Sequence, residues 1–231
     1  MTKTRGLKEA KKKLGDLEKI ISMLLKKKKK VKIFESGPGY GKIMMELTKK
    51  FGNKVEIIGM NLKPSHGNKK IMVDFALKEK IINKEDLKKI KLPKIIFGDA
   101  GKKLPFKSGS IDLVYSQTST YLYKDKIHFY EEVTRILSKK GIARITLHEN
   151  PNISKEFLPL LKIQDKIKQI HFEKFIKTFK PIKIIKLGNG KKVIEVKKGK
   201  LNFNLNLKST INTHNINKKW FGIQSIYDVK K

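Results

Sequence analysis

Three glycines at alternate positions form the part of this sequence with the clearest chemical meaning. The stretch FESGPGYGKIM, residues 34–44, follows an apolar run and contains Gly37, Gly39 and Gly41, preceded by Glu35. Glycine tolerates backbone conformations and close approaches that other residues do not, so such a turn can bring main-chain atoms against a ligand. A nucleoside triphosphate, a dinucleotide or another adenosine cofactor could bind there, and each requires a different glycine spacing.

The spacing matches neither of the first two ligands. A triphosphate-binding loop reads G-x-x-x-x-G-K-[ST]. Aligning its G-K pair with Gly41 and Lys42 places Ser36 at the first glycine and Ile43 at the magnesium-binding hydroxyl. A dinucleotide-binding turn reads G-x-G-x-x-G, which requires a glycine where this sequence has Lys42.

The pattern E-x-G-x-G-x-G instead resembles motif I of the class I S-adenosylmethionine-dependent methyltransferases. The resemblance implies that Gly37, Pro38, Gly39 and Gly41 lie against the methionine and ribose parts of S-adenosyl-L-methionine. It also implies that Glu35, which ends the preceding strand, accepts a hydrogen bond from the ammonium group of the ligand, often through water. Glycines suit this turn because side chains would hold the backbone away from the ligand.

Later stretches extend the resemblance over roughly residues 30–150. In GMNL, Asn61 stands where the family usually has an acid that binds both ribose hydroxyls, and the next residue, Leu62, is also expected to contact the cofactor. An asparagine can bond a hydroxyl, but without the strength that the charge of a carboxylate adds, so Asn61→Asp is expected to tighten cofactor binding. Asp99 and Ala100 end the third predicted strand, where the resemblance implies that the acid meets the adenine amino group.

The next part of the chain also follows the family pattern. Residues 104–106, Leu-Pro-Phe, lead into SIDLV, which contains Asp112, and Ser116 then opens the predicted mouth of the active site. In the following helix, Glu132 and Arg135 are three residues apart and are expected to form a structural ion pair. The closest pattern is the broad group that includes quinone-biosynthesis and other small-molecule methyltransferases.

The residues that meet the methyl acceptor are less clearly indicated. Polar and aromatic side chains follow the fourth and fifth predicted strands, whose ends border the acceptor site in this fold. These candidates are Gln117, Tyr121, Tyr123, His148 and Glu149. Each is equally consistent with a packed or solvated side chain, so we assign no catalytic residue, and no metal site is predicted.

The composition excludes several reaction classes. The chain has no cysteine, so it cannot form disulfides, thiolate zinc sites, iron–sulfur clusters or the thiolate adduct of C5-pyrimidine methylation. The fourth strand is followed by SQTSTYLY rather than by the Asn/Asp-Pro-Pro-aromatic motif of many amino-group methyltransferases. An oxygen, nitrogen or carbon acceptor therefore remains open.

Alternating apolar runs and helical patterns predict an α/β fold with a parallel sheet. The resemblance implies that this is the Rossmann-like, doubly wound seven-stranded sheet of the family. The predicted parallel strands are 31–35, 55–60, 94–97, 110–116 and 142–147. A helix is predicted at 125–139, with Gly141 at its stop, and another at 153–179. Two apolar runs around Gly188 to Gly190 predict an antiparallel hairpin at 181–199, and 201–207 alternates like a strand.

The chain begins with an amphipathic pattern that predicts one helix of about six turns. Its apolar positions are Leu7, Ala10, Leu14, Leu17, Ile21 and Leu24. We therefore divide the chain into an N-terminal amphipathic helix (1–30), a methyltransferase domain (31–199) and a C-terminal extension (200–231).

The formal net charge of +34 raises the question of a polyanionic partner. Only three of the 55 basic residues are arginine, although arginine is the residue favoured for bidentate phosphate contacts. A small-molecule acceptor is therefore preferred to RNA, and a non-catalytic cofactor-binding protein is the third possibility. No membrane span or secretory signal is apparent, so a cytoplasmic protein is expected.

Overall fold

The computed structural model describes residues 5–117, 119–120, 123, 126–146 and 181–199, and two short strands at 209–212 and 224–227. Several sequence predictions lie outside the described residues: the helix at 153–179, the strand at 201–207, and the acceptor candidates Tyr121, His148 and Glu149.

The main sheet has seven strands in the spatial order β3-β2-β1-β4-β5-β7-β6. These strands are β1 (Val31–Ser36), β2 (Val55–Asn61), β3 (Lys94–Phe97), β4 (Ile111–Ser116), β5 (Leu137–Thr146), β6 (Ile182–Lys186) and β7 (Lys192–Lys197). β1 to β5 pair in parallel, whereas β7 is antiparallel to both β5 and β6. The predicted doubly wound sheet with an antiparallel C-terminal hairpin is confirmed.

A separate antiparallel pair, β8 (Ser209–Asn212) with β9 (Gln224–Tyr227), was not predicted.

The predicted N-terminal helix is two helices, α1 (Leu7–Leu14) and α2 (Leu17–Leu25). Between them Gly15 has a φ of 84°, a conformation that ends a helix and favours glycine. Asp16 then caps α2, its carboxylate accepting a hydrogen bond of 2.9 Å from the backbone N–H of Lys19. The single-helix prediction was wrong because the apolar periodicity continues across this break.

The other described helices are α3 (Lys42–Phe51), α4 (Lys69–Lys78), α5 (Lys84–Lys89) and α6 (Lys126–Ile136).

The prediction of a helix to residue 139 with a stop at Gly141 was wrong, because β5 begins directly after Ile136. Gly141 lies inside β5, next to an irregularity in its pairing with β4. A Cβ at this position would lie 2.9 Å from the backbone nitrogen of Ser138 and 3.0 Å from the carbonyl oxygen of Ile111. Close packing of backbones therefore accounts for this glycine.

Hydrophobic side chains cover both faces of the sheet. On one face the buried residues of α1, α2 and α3 pack with Val31 and Ile33 of β1. On the other face Phe34 packs with buried residues of α6, including Phe129 and Val133. Successive residues of β1 thus enter different clusters, as expected for a central strand with helices on both sides.

A comparison within α2 tests whether the N-terminal helices belong to this core. Ile21 is fully buried, whereas Met23 on the same helix is half exposed. Ile21→Ala is expected to lower the free energy of unfolding by about 2–5 kcal/mol, because it removes buried methylenes and leaves a cavity. Met23→Ala, the matched control, should change it by less than about 0.5 kcal/mol. Equal effects in urea denaturation would show that the helix does not contribute to the core.

Candidate cofactor site

The order in which the chain adds strands to the sheet reverses between β1 and β4. From β1 the strands proceed to β2 and β3 on one side, and the chain then crosses to β4 and β5 on the other. In open α/β sheets, ligands bind outside the carboxyl ends of the strands at such a switch point. The glycine turn joins β1 to α3 at this position.

All three glycines of the turn adopt positive φ angles. The values are 73° for Gly37, 57° for Gly39 and 72° for Gly41, which is also the N-cap of α3. Residues with a Cβ rarely adopt this conformation, so the sequence of this turn is dictated by its backbone. The turn is joined to β2 by a hydrogen bond of 3.0 Å from the N–H of Gly37 to the carbonyl oxygen of Met60.

Glu35 is buried at the end of β1, on the face covered by α1 to α3. The hydroxyl of Tyr115 in β4 donates a hydrogen bond of 2.7 Å to Glu35 Oε2. Burial raises the pKa of the Glu35 carboxyl from 4.5 to about 8, although the Tyr115 hydrogen bond opposes the shift. At neutral pH the carboxyl is therefore predominantly protonated.

Asn61 ends β2 with its side chain directed at the backbone of the glycine turn. Its Oδ1 accepts a hydrogen bond of 3.1 Å from the N–H of Gly39, and its Nδ2 donates to the carbonyl oxygen of Gly39 at 2.9 Å. Nδ2 also donates to the carbonyl oxygen of Gly67 at 2.7 Å. The amide thus joins the turn to the loop that follows β2.

The next residues form an apolar edge beside the turn. Leu62 is 60% exposed and Phe97, at the end of β3, is 46% exposed; they are two of the three large hydrophobic side chains that are exposed in the described part of the chain. Asp99 is partly exposed just beyond β3, where its Oδ1 accepts a hydrogen bond of 2.8 Å from the N–H of Gly101. Ala100 is buried against the core that contains Phe34.

Four hydroxyl groups meet where β1 and β4 end. The Oγ atoms of Ser116 and Ser119 lie 2.6 Å apart, and both lie within hydrogen-bond distance of the carbonyl oxygen of Ser36, at 3.2 and 2.8 Å. Because each hydroxyl has one hydrogen, one serine donates to this carbonyl and the other donates either to it or to its neighbour. The Tyr123 hydroxyl lies 3.0 Å from that of Ser119 and also contacts the Ser36 hydroxyl. Burial raises the pKa of the Tyr123 phenol, which keeps it a neutral donor.

This hydroxyl cluster contains Ser116, which the sequence placed at the mouth of the site, and Tyr123, an acceptor candidate. It also contains Ser36 and Ser119, which sequence reasoning did not select. Ser36 lies between Glu35 and Gly37, so its position at the strand end was a usable signal. Ser119 had no such signal in the sequence, because its role depends on a contact with a distant segment. It lies so close to Gly37 that a Cβ added at Gly37 would be 2.4 Å from the Cβ of Ser119.

The family model described as "Methyltransferase domain" matches residues 34–145. This range contains the glycine turn, Asn61, the hydroxyl cluster and the strands β2, β3 and β4, together with the second half of β1 and most of β5. Residues 34–145 are a class I methyltransferase domain.

Solved structures with similar folds include methyltransferases from several organisms. A candidate S-adenosyl-L-methionine-dependent methyltransferase from Methanococcus maripaludis is 16% identical, covering 84% of this chain and 91% of its own, with a TM-score of 0.49. A SAM-dependent methyltransferase from Aquifex aeolicus is also 16% identical, covering 81% and 90%, with a TM-score of 0.45.

Phosphoethanolamine N-methyltransferase 2 from Haemonchus contortus, solved with phosphomonomethylethanolamine and S-adenosylhomocysteine, is 19% identical. The alignment covers 75% of this chain and 40% of that one, with a TM-score of 0.47. A search of curated protein sequences found no match to this chain. Identities of 16–19% and TM-scores below 0.5 carry no information about the methyl acceptor of this chain.

Within the methyltransferase domain, Glu132 and Arg135 hold the segment before β4. They form the predicted i,i+3 ion pair, with Arg135 Nε 2.6 Å from Glu132 Oε1. The guanidinium also donates to the carbonyl oxygens of Leu104 and Phe106, at 3.0 and 2.8 Å. The predicted structural role of this pair is confirmed.

None of the helices in the described part of the chain is long and apolar enough to cross a membrane.

The pKa of Glu35 predicts how the stability of the methyltransferase domain depends on pH. Because the pKa is raised on folding, the protonated carboxyl stabilises the fold fully below about pH 4.5, and this contribution is lost as the pH rises to about 8. Glu35→Gln keeps an acceptor for Tyr115 but cannot ionise. Relative to wild type, the variant should gain up to about 1.4 kcal/mol of stability per pH unit across this range.

Urea denaturation at pH 5 and pH 8 would measure this difference. Glu18→Gln, which removes a carboxylate of α2 that pairs with Lys50, controls for the loss of one carboxyl group from the chain. A constant offset between Glu35→Gln and wild type at both pH values would contradict the assignment.

Proposed function

We propose that this chain transfers the methyl group of S-adenosyl-L-methionine to a small-molecule acceptor. The observation that carries the proposal is the turn of three positive-φ glycines at the switch point of a methyltransferase domain. Its partly exposed backbone, at residues 37–40, lies between two carboxyl-bearing strand ends and an apolar edge. This set of groups fits a ligand that combines an ammonium, a ribose and an adenine.

The residues that would hold the cofactor surround this turn at the carboxyl ends of β1 to β4. They are Glu35, Gly37, Pro38, Gly39, Gly41, Asn61, Leu62, Asp99, Ala100 and Ser116. Leu62 and Phe97 offer exposed apolar surface to the adenine, and Asp99 offers a carboxylate to its amino group. The ammonium of the ligand would favour the ionised form of Glu35, since a nearby cation lowers the pKa of a buried carboxyl.

The bound cofactor is a sulfonium and supplies an activated methyl group. The protein therefore has to align the acceptor with the donor and exclude water, and needs a general base only if the acceptor must lose a proton. The hydroxyl cluster, Ser36, Ser116, Ser119 and Tyr123, lies beside the glycine turn and offers neutral hydrogen-bonding groups there. It is suited to orienting a polar acceptor.

The distribution of lysines supports a small acceptor over RNA. Exposed lysines occur on α1, α3, α4 and α5 and along the β6–β7 hairpin, so they are not confined to the side of the glycine turn. A coat of this kind binds polyanions weakly and non-specifically, with dissociation constants of roughly 10⁻⁴–10⁻⁶ M that increase with salt. The net charge of +34 nevertheless makes RNA the alternative that has to be tested.

Methyl-labelled cofactor incubated with cell extract distinguishes these acceptors. The extract is separated into small-molecule, RNA and protein fractions before the labelled cofactor and the purified protein are added. Label is expected in the small-molecule fraction. Label in RNA, together with sub-micromolar RNA binding at physiological salt, would support the alternative, and cofactor binding without transfer to any fraction would indicate a non-catalytic binding protein.

Substitution of one glycine tests the cofactor site directly. Gly39→Val is expected to abolish binding of S-adenosylhomocysteine in calorimetry, because Gly39 has a φ of 57° and valine would place a branched side chain against the ligand. Gly188→Val is the matched control, because a Cβ at Gly188 meets nothing within 4 Å. Similar affinities for the two variants would place the ligand elsewhere.

A further inference from the structure

Asn61 forms the most complete hydrogen-bonded contact between the glycine turn and another segment of the site. The side chain is buried, and its amide faces both polar groups of Gly39. The second hydrogen of Nδ2 is directed to the carbonyl oxygen of Gly67. Both donors of the amide and one acceptor position are therefore engaged with backbone atoms.

This arrangement requires an amide rather than a carboxylate. Nδ2 contacts two carbonyl oxygens, which can only accept hydrogen bonds. An aspartate at this position could still accept from the N–H of Gly39, but its second oxygen would face the carbonyl oxygens of Gly39 and Gly67 without a hydrogen between them. The contacts explain in physical terms why this chain has Asn61 where its family usually has an acid.

Gly67 provides an independent indication that the loop after β2 is seated on the turn. A Cβ at Gly67 would lie 2.0 Å from the carbonyl oxygen of Gly39, closer than any side chain could approach. Its φ of 133° is also a conformation that favours glycine. Gly67 and Asn61 together allow the two backbones to pack directly against each other.

We propose that Asn61 is a positioning residue, which shapes the cofactor site by locking the glycine turn to the loop after β2. It acts through the backbone of Gly39 and Gly67 and not by binding the ribose hydroxyls itself. The proposal deepens the function proposed above and rests on it for the identity of the ligand. It also reverses the expectation that Asn61→Asp tightens binding.

Hydrogen exchange of the ligand-free protein tests the lock without reference to any cofactor. Asn61→Ala should raise the exchange rate of the hydrogen-bonded amides within 37–41 and 62–67 by about tenfold or more, because hydrogen bonds that hold both segments are lost. These amides belong to Gly37, Gly39, Gly41, His66 and Gly67. Asn61→Asp is nearly isosteric and should loosen 62–67 while the N–H of Gly39 keeps its acceptor.

Asn189→Ala is the matched control for this experiment. Asn189 also joins two backbone segments, donating to the carbonyl oxygen of Lys12 and accepting from the N–H of Lys191, but it lies in the exposed β6–β7 turn. Its substitution should leave exchange at 37–41 and 62–67 unchanged. Unchanged exchange in both Asn61 variants would overturn the proposal.

A thermodynamic cycle with two ligands separates positioning from direct ribose contact. The affinities of wild type and Asn61→Ala are measured by calorimetry for S-adenosylhomocysteine and for its 2′,3′-dideoxy analogue. If Asn61 is a positioning residue, Asn61→Ala lowers the affinity for both ligands by the same factor, about tenfold. Removing the hydroxyls from the ligand then costs the same binding free energy in wild type and variant. A residue that binds the hydroxyls makes their removal costly in wild type and nearly neutral in the variant, and this result would overturn the proposal.

Asn61→Asp adds a second readout to the same experiment. Weaker binding than wild type is expected, whereas tighter binding that depends on the ribose hydroxyls would restore the ribose-binding role. Failure of wild type to bind either ligand would overturn the proposed function instead. The exchange measurement would then still decide whether Asn61 holds the turn.

Discussion

The site depends on the position of β1 between β2 and β4. β1 pairs in parallel along both edges, with β2 from Val31 to Ser36 and with β4 from Ile33 to Glu35. Both faces of the strand are covered by hydrophobic clusters, so neither its register nor its end can shift without exposing core residues. The chain must therefore turn sharply directly after Ser36, and three positive-φ glycines make that turn possible.

A row of polar side chains crosses the sheet just below this turn. Glu35 pairs in register with Tyr115, Tyr115 with Arg144, and Arg144 with Glu195. The four side chains pair within the row, since Tyr115 donates to Glu35 and Arg144 Nη2 lies 2.7 Å from Glu195 Oε2, although the buried Arg144 Nε makes no hydrogen bond to the described residues. Burial lowers the pKa of Arg144, whereas the charge of Glu195 opposes that shift. Such groups are costly to bury alone, so the pairing fixes the register of four strands at the level of the site.

The loops around the turn complete the site through the chain's own backbone. Ser119 packs against Gly37 from the side of β4, and Gly67 packs against Gly39 from the side of β2. Both contacts occur where side chains are absent from the turn. The absence of side chains from these glycines lets the two segments close upon the turn, which links the shape of the turn to the placement of both loops.

Much of this protein follows from local sequence. The glycine spacing, the acid before it and the apolar runs indicated the sheet and the cofactor class, because each depends on residues close together in the chain. The tertiary structure decided what local patterns cannot specify. Gly15 ends a helix whose apolar periodicity continues, and Gly141 serves close backbone packing within β5. The hydrogen bonds of Asn61 to Gly39 and Gly67, and of Ser119 to Ser36, form only where the ends of different strands lie together. Hydrogen bonds between distant segments depend on the three-dimensional arrangement, so no periodic pattern in the sequence predicts them.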